Sequence, residues 1–139
     1  MKIGRIFLAG IVVWIITGLY TWLTCGWLFN WVYNIPPTNI WRDPMALGAG
    51  NITLVILLSL LVGIIFALVY AFLYKGLPKE GASKGVIYGF VIWLVGAFSG
   101  MVTMPFFMMI SPWVVFYWII SGLIIFLING AIVGAIYKE

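Results

Sequence analysis

The hydrophobic positions of this chain form long continuous runs that are separated by short polar stretches. Charged residues are absent between Arg5 and Arg42, between Asp43 and Lys75, and between Lys84 and Lys138. A helix needs about 20 mainly apolar residues to cross the hydrocarbon core of a bilayer. The first two gaps each have room for one such helix. The third gap covers residues 85–137 and holds two helices, divided at Ser111 and Pro112.

Helices explain these runs better than strands do. The strands of a membrane barrel need a polar inward position at every second residue, and these runs do not alternate. In lipid, a helix satisfies all its backbone hydrogen bonds within the segment. The sequence therefore predicts an all-α fold, a four-transmembrane-helix bundle in a single domain. The predicted spans are residues 6–30, 51–74, 85–110 and 113–137, with an outer loop at residues 34–50.

Composition and charge support an integral membrane protein. The chain is 65% hydrophobic and 7% charged, with a mean hydropathy of +1.23, whereas a soluble domain is about one quarter charged. Six of the seven basic residues fall in one compartment of this topology: Lys2, Arg5, Lys75, Lys79, Lys84 and Lys138. Cytoplasmic loops are enriched in such residues, so both termini are predicted to be cytoplasmic. The basic residues do not form the clustered face that nucleic-acid binding needs, so we do not expect nucleic acid as a partner.

Small residues recur at helical spacing within the predicted spans. In the third span, glycines are separated by four, seven and four residues, which places them on one helical face. Helices in a bilayer associate through close van der Waals contact, because lipid tails are as apolar as leucine. The predicted packing residues are Gly85, Gly89, Gly96 and Gly100 in the third span, Gly130 and Gly134 in the fourth, and Ser59, Gly63 and Ala67 in the second.

The two halves of the chain show a weak internal similarity. An offset of 79 residues pairs Gly10 with Gly89 and Trp14 with Trp93, and an offset of 63 pairs Ala67 with Gly130. One hypothesis is therefore two tandem helical hairpins related by an axis along the membrane normal. The alternative is chance similarity between helices built from few residue types.

A few uncharged polar residues lie inside the spans and raise the possibility of a solute path. They are Thr17, Thr21, Ser99, Thr103 and Asn129. The alternative for the hydroxyls is a hydrogen bond to a carbonyl of their own helix, four residues back. Asn129 lies about 13 Å from the cytoplasmic end of its helix. An amide at that depth is expected to bond to a neighbouring helix.

Reactive side chains are scarce at membrane depth. The spans contain no ionisable acid or base, the chain has no histidine, and Cys25 is the only cysteine. We therefore expect no catalytic residue, no metal ligand set and no cofactor, and predict that the chain is not an enzyme. An enzyme acting on lipid at the bilayer surface would depend on Arg42 and Asp43, or on Lys79 and Glu80.

A methionine group offers one metal alternative. Thioethers are soft ligands for Cu(I), and methionine also fills irregular gaps in a core. We expect packing rather than copper binding from this group, which comprises Met45, Met101, Met104, Met108 and Met109.

The glycine spacing of the third and fourth spans, beside a first helix with glycine and tryptophan, resembles that of small four-span membrane proteins of bacteria and archaea with no assigned function. The resemblance implies a prokaryotic plasma membrane and brings no catalytic residues. Two functions remain open. The favoured hypothesis is a non-enzymatic protein that acts through helix packing, as a homo-oligomer or as an accessory subunit of another membrane protein. The alternative is a small transporter or channel for a neutral or hydrophobic solute.

Overall fold

The computed structural model describes residues 2–41 and 48–138, and within these ranges the fold is all-α. Four helices are long and apolar enough to cross a membrane, so the chain is an integral membrane protein. The first helix is Ile3–Leu28, the second Ala49–Gly76, the third Ala82–Phe107 and the fourth Pro112–Ile136. Of the predicted outer loop, residues 42–47 lie outside the described ranges, and with them Arg42, Asp43 and Met45.

Three of the helices contain more than one type of helical turn. The α-helical segments are α1 (Ile3–Leu23), α2 (Ala49–Leu73), α3 (Ala82–Ile92), α4 (Ser99–Met101), α5 (Met104–Phe107) and α6 (Pro112–Ile136). The first helix ends in a π-helical turn at Thr24–Leu28, and the third contains another at Trp93–Phe98. Short 3-10 segments follow the first helix at Asn30–Asn34 and end the second at Tyr74–Gly76.

Local sequence explains where the helices begin. The hydroxyl of Ser111 accepts a hydrogen bond from the backbone N–H of Trp113 (3.3 Å), which caps α6, and Pro112 occupies the first turn. Proline is suited to that position because its missing N–H has no partner there in any case. Gly48 precedes α2 and Gly81 precedes α3, both with positive φ angles of 80° and 62°. Only glycine adopts that backbone region at no steric cost.

The first and second helices pack through the N-terminal half of the first and the C-terminal half of the second, the halves predicted to be the inner ones. A Cβ atom added to Gly10 would lie 2.7 Å from the Cα of Ile64, and one added to Gly63 would lie 2.7 Å from the carbonyl oxygen of Gly10. Ala67 and Ala71 are buried further along the same contact. The absence of larger side chains therefore allows these two backbones to touch.

The third and fourth helices make the closest contact in the bundle. Gly85 lies against the backbone of Gly130 and Gly134, and Gly89 lies against the carbonyl of Phe126. A Cβ atom added to any of these glycines would meet backbone atoms of the opposite helix. The fourth helix also packs against the first, so the first and fourth helices join the two hairpins.

One close contact in each hairpin lies at corresponding positions. Gly10 faces Gly63 in the first hairpin, and Gly89 faces Phe126 in the second. These pairs are related by the sequence offsets of 79 and 63 residues that suggested two tandem hairpins.

Gly96 and Gly100 do not join the packing face formed by Gly85 and Gly89. A Cβ atom added to either would have no neighbouring atom within 4 Å. The reason is the π-helical turn at Trp93–Phe98, since a π turn holds more residues than an α turn and rotates the positions after it. The expectation that all four glycines share one face assumed an unbroken α-helix.

The outer half of the second helix, defined here as residues 51–62 next to the predicted outer loop, makes few contacts with the other helices. Every described position from Asn51 to Ser59 is exposed, and Leu54, Leu57 and Leu58 are each more than half exposed. Ser59, one of the predicted packing residues, is exposed and donates a hydrogen bond to the carbonyl of Val55 in its own helix (2.8 Å). Close packing of this helix therefore begins at Gly63.

The basic residues gather at one end of the bundle. The ammonium group of Lys2 donates to the carbonyl of Lys138 (2.8 Å), and the guanidinium of Arg5 donates to the carbonyl of Ile136 (3.0 Å). Arg5 thus bonds to the last residue of α6 and Lys2 to a carbonyl two residues beyond it, near the negative end of the helix dipole, which favours cations. The third basic contact is that of Lys84, which donates to the Tyr74 carbonyl (2.7 Å) and lies 3.9 Å above the Tyr74 ring centre.

Aromatic clusters close both ends. At the basic end, four tyrosine rings pack edge to face with centroid separations of 5.2–6.0 Å: Tyr70, Tyr74, Tyr88 and Tyr137. At the opposite end, the indole of Trp118 donates to the hydroxyl of Tyr33 (2.9 Å), and Trp41 packs against both rings. This second cluster ties the start of the outer loop to the fourth helix.

Candidate functional site

A cavity of about 740 Å³ lies between the four helices at middle depth. It is bordered by residues 13–22 of the first helix, 59–69 of the second, 88–92 of the third and 125–129 of the fourth. Sites for small molecules in proteins commonly enclose about 300–1,000 Å³. On the second helix the wall runs from Ser59 to Val69, across the point near Gly63 where close packing with the first helix begins.

One polar pair lies in the wall of this cavity. The side-chain amide of Asn129 donates from Nδ2 to the hydroxyl oxygen of Thr17 (2.8 Å). This bond connects the fourth helix to the first across the middle of the bundle. Asn129 is 7% exposed, and its Oδ1 has no hydrogen-bond partner. A buried amide oxygen without a partner costs about 1 to 3 kcal/mol.

The other hydroxyls of the wall differ from this amide. Tyr88 donates to the carbonyl of Phe66 (2.6 Å), and Ser59 donates to its own helix, so both are satisfied within the protein. Thr21 lies one turn from Thr17 on the same face of the first helix and also borders the cavity. The rest of the wall is apolar and aromatic, with Trp14 and Phe126 among its largest side chains.

The structure brings together only part of the predicted solute path. Thr17, Thr21 and Asn129 border the cavity. Ser99 and Thr103 are exposed on the third helix, outside it, and Ser99 donates to the carbonyl of Leu94 (2.8 Å). That bond spans five residues, which fits the preceding π-helical turn.

A smaller cavity of about 380 Å³ lies between the first and fourth helices, nearer the outer end. The hydroxyl of Tyr20 lies 2.8 Å from that of Ser121 and 3.0 Å from the Ser121 carbonyl, so these polar atoms are paired. Cys25 lies 3.7 Å from the hydroxyl of Tyr117 and is partly buried. No unpartnered polar side chain points to a ligand in the described part of this second cavity.

The methionines do not converge on one point in the described residues. Met101 and Met104 pack against the apolar cluster around Trp93 and Ile110, whereas Met108 and Met109 are exposed. Residues 2–41 and 48–138 also contain no group of three histidine, cysteine, aspartate or glutamate side chains placed to hold a metal ion.

The cavity itself was not predicted from the sequence. The polar residues of its wall could be predicted, because polar residues are rare inside the spans. Its apolar wall could not be named, because apolar residues that face a neighbouring helix, a cavity or lipid look alike in sequence. The second helix carries small residues at Ser59, Gly63 and Ala67, but only those from Gly63 onward pack against the first helix. The sequence does not show that Ser59 lies outside this contact.

Comparisons of the chain with protein-family models, with curated proteins and with solved structures give no match. A functional conclusion therefore depends on the geometry of the cavity.

Proposed function

We propose that this membrane protein binds a neutral, mainly hydrophobic molecule in the cavity between its four helices. The observation that carries the proposal is a space of about 740 Å³ with an apolar wall and one polar pair, Thr17 and Asn129. Ligand sites typically combine a hydrophobic wall with a few polar groups that orient the ligand. Such binding is the first requirement of a small transporter for a neutral or hydrophobic solute.

Electrostatics favour a neutral ligand over a charged one. None of the described residues that border the cavity carries a charge. Placing an unpaired ion in such surroundings is far more costly than placing a neutral group. These bordering residues also include no carboxylate, imidazole, amine or thiol, which supports a binding function rather than an enzymatic one. A channel is less well supported, because Ser99 and Thr103 do not extend the polar wall.

The proposal is tested by filling the cavity. A Cβ atom at Gly18 would have free space around it, and Gly18 borders the cavity, so Gly18→Phe adds a ring there without a backbone clash. Gly100→Phe is the matched control, since Gly100 also has free space and lies outside the cavity. A long-chain alcohol with a photoreactive diazirine should label the unmodified protein and the control, and label Gly18→Phe weakly. Equal labelling of all three proteins would refute the proposal.

A second candidate function is assembly with another copy of the chain through the outer half of the second helix. The observation in its favour is the exposure of six large apolar residues between Ile52 and Leu58. Leu57→Trp and Leu58→Trp should then reduce the assembled mass measured in mild detergent, whereas Leu8→Trp on the first helix should not. A single-chain mass for the unmodified protein in mild detergent would refute this candidate.

We further propose that both termini and the basic end are cytoplasmic, in a prokaryotic plasma membrane. Lys2, Arg5 and Lys84 meet at one end of the bundle, and cytoplasmic segments favour such residues. With Cys25 replaced by serine, Lys79→Cys should react with a membrane-impermeant maleimide only in opened vesicles. Asn39→Cys should react in intact cells. Reaction of both cysteines from the same side would overturn this topology.

A further inference from the structure

We propose that the occupant of the cavity is a neutral lipid with a free hydroxyl group, which hydrogen-bonds to the side chains of Asn129 and Thr17. This inference rests on the proposed binding function and adds the chemical class of the ligand. The class includes long-chain alcohols and diacylglycerols, which share one hydroxyl beside hydrocarbon chains.

The unpartnered oxygen of Asn129 calls for a hydrogen-bond donor. In the bundle interior water is scarce, and the amide nitrogen is already bonded to Thr17 at 2.8 Å. The terminal torsion of an asparagine side chain has a broad energy profile. Oδ1 is buried as the side chain stands, and rotation about this torsion is the motion that brings it to a ligand in the cavity that the side chain borders. A ligand hydroxyl fits this pair because it can donate to Oδ1 of Asn129 and accept from the hydroxyl of Thr17.

The remainder of the wall fits hydrocarbon. Trp14, Phe66, Ile92 and Phe126 supply apolar surface around the polar pair. The outer edge is formed by Trp22 and Val62, which are 67% and 64% exposed, so the cavity opens at the side of the bundle. A lipid thus reaches the site from the membrane and does not have to cross water.

Matched competitors test the hydroxyl directly. The full chain in mild detergent is labelled with the photoreactive long-chain alcohol in the presence of octadecanol, its methyl ether or octadecane. The ether accepts a hydrogen bond but has no donor, and the alkane has neither function. One net hydrogen bond corresponds to about a twofold to tenfold change in affinity. We expect octadecanol to compete better than the ether by that factor, with octadecane no better than the ether.

Two variants assign the preference to the polar pair. Asn129→Leu removes the amide, so octadecanol and its ether should then compete equally, while Gly18→Phe should be labelled only weakly. Thr17→Val provides a second variant with the same expected loss of preference and a side chain of nearly the same shape. Equal competition by alcohol and ether in the unmodified protein overturns this inference and leaves the binding function intact. Labelling that is insensitive to Gly18→Phe overturns the binding function itself.

Diacylglycerol distinguishes two sources of the ligand. Competition by dioleoylglycerol as strong as that by octadecanol identifies a membrane glycerolipid, and competition by octadecanol alone identifies a single-chain lipid. Either result supports a ligand with a free hydroxyl group. Competition by oleate at neutral pH as strong as that by octadecanol contradicts it, because the described wall offers no cation to a carboxylate.

Discussion

Replacing Gly85 with alanine tests whether the bundle is held together by backbone contact. The added Cβ atom would overlap the carbonyl oxygen of Gly130 and lie 2.7 Å from its carbonyl carbon and 2.9 Å from the Cα of Gly134. All three neighbours are backbone atoms, which cannot turn aside as the end of a long side chain can. The third and fourth helices would have to separate by roughly 1 Å.

The cost follows from the loss of contact along the whole interface. Adding a methyl group to a tightly packed core typically costs about 1 to 3 kcal/mol. Alanine also favours a helix over glycine by about 1 kcal/mol, which works in the opposite direction. The overlap here is with backbone and the separation also loosens the contact at Gly89, which puts the cost at the upper end of that range, so we expect a net destabilisation of about 2 kcal/mol for Gly85→Ala.

Gly96→Ala and Gly100→Ala are the matched controls. They add the same methyl group to the same helix, at positions with no atom within 4 Å of the new Cβ. Their free energies of unfolding should be unchanged or rise by up to about 1 kcal/mol, because only the helix preference of alanine acts there. The assay is equilibrium unfolding in mixed micelles, followed by circular dichroism and tryptophan fluorescence. Equal stability of Gly85→Ala and Gly96→Ala would refute the conclusion that glycine allows these helices to touch.

Two further substitutions probe buried polar contacts. Lys84→Met removes the ammonium group that bonds to the Tyr74 carbonyl, which should cost about 1.5 to 3 kcal/mol and lower the thermal midpoint accordingly. Lys75 is exposed, so the thermal midpoint of Lys75→Met should change little. Trp93→Phe removes the indole N–H that donates to the Ile119 carbonyl (2.9 Å) and leaves a small void. It should lower the free energy of unfolding by about 1 to 3 kcal/mol, and no change in either assay would contradict the role given to that contact.

The helices could be predicted because charge is excluded from hydrocarbon. The intervals between Lys84 and Lys138, or between Asp43 and Lys75, leave little choice of architecture once lipid is the solvent. The contact of Gly85 with Gly130 could also be anticipated from spacing, since small residues are the means by which helices approach in lipid.

The position of Gly96 and Gly100 could not be predicted, because the π-helical turn at Trp93–Phe98 is not marked by a distinctive residue pattern. Its consequence is a change of face after residue 93, which an unbroken 3.6-residue period does not contain. The Trp93 indole, bonded to the Ile119 carbonyl, lies at the start of this turn.

The cavity could not be predicted from the sequence for a different reason. Leu54 and Leu58 on the second helix read the same in sequence whether they contact protein or lipid, because both surroundings are apolar. The prediction of Asn129 as a partner for a neighbouring helix agrees with its bond to Thr17. Its unpaired oxygen and the space beside it depend on how far apart four helices lie, which no single segment determines.

The most direct test of a ligand-binding bundle is the mass of the protein released intact from a mild detergent. We expect the 15.6 kDa chain together with one neutral lipid, which is lost in Gly18→Phe and retained in Gly100→Phe. A lipid-free chain mass in the unmodified protein, or the same bound mass in both variants, would contradict it.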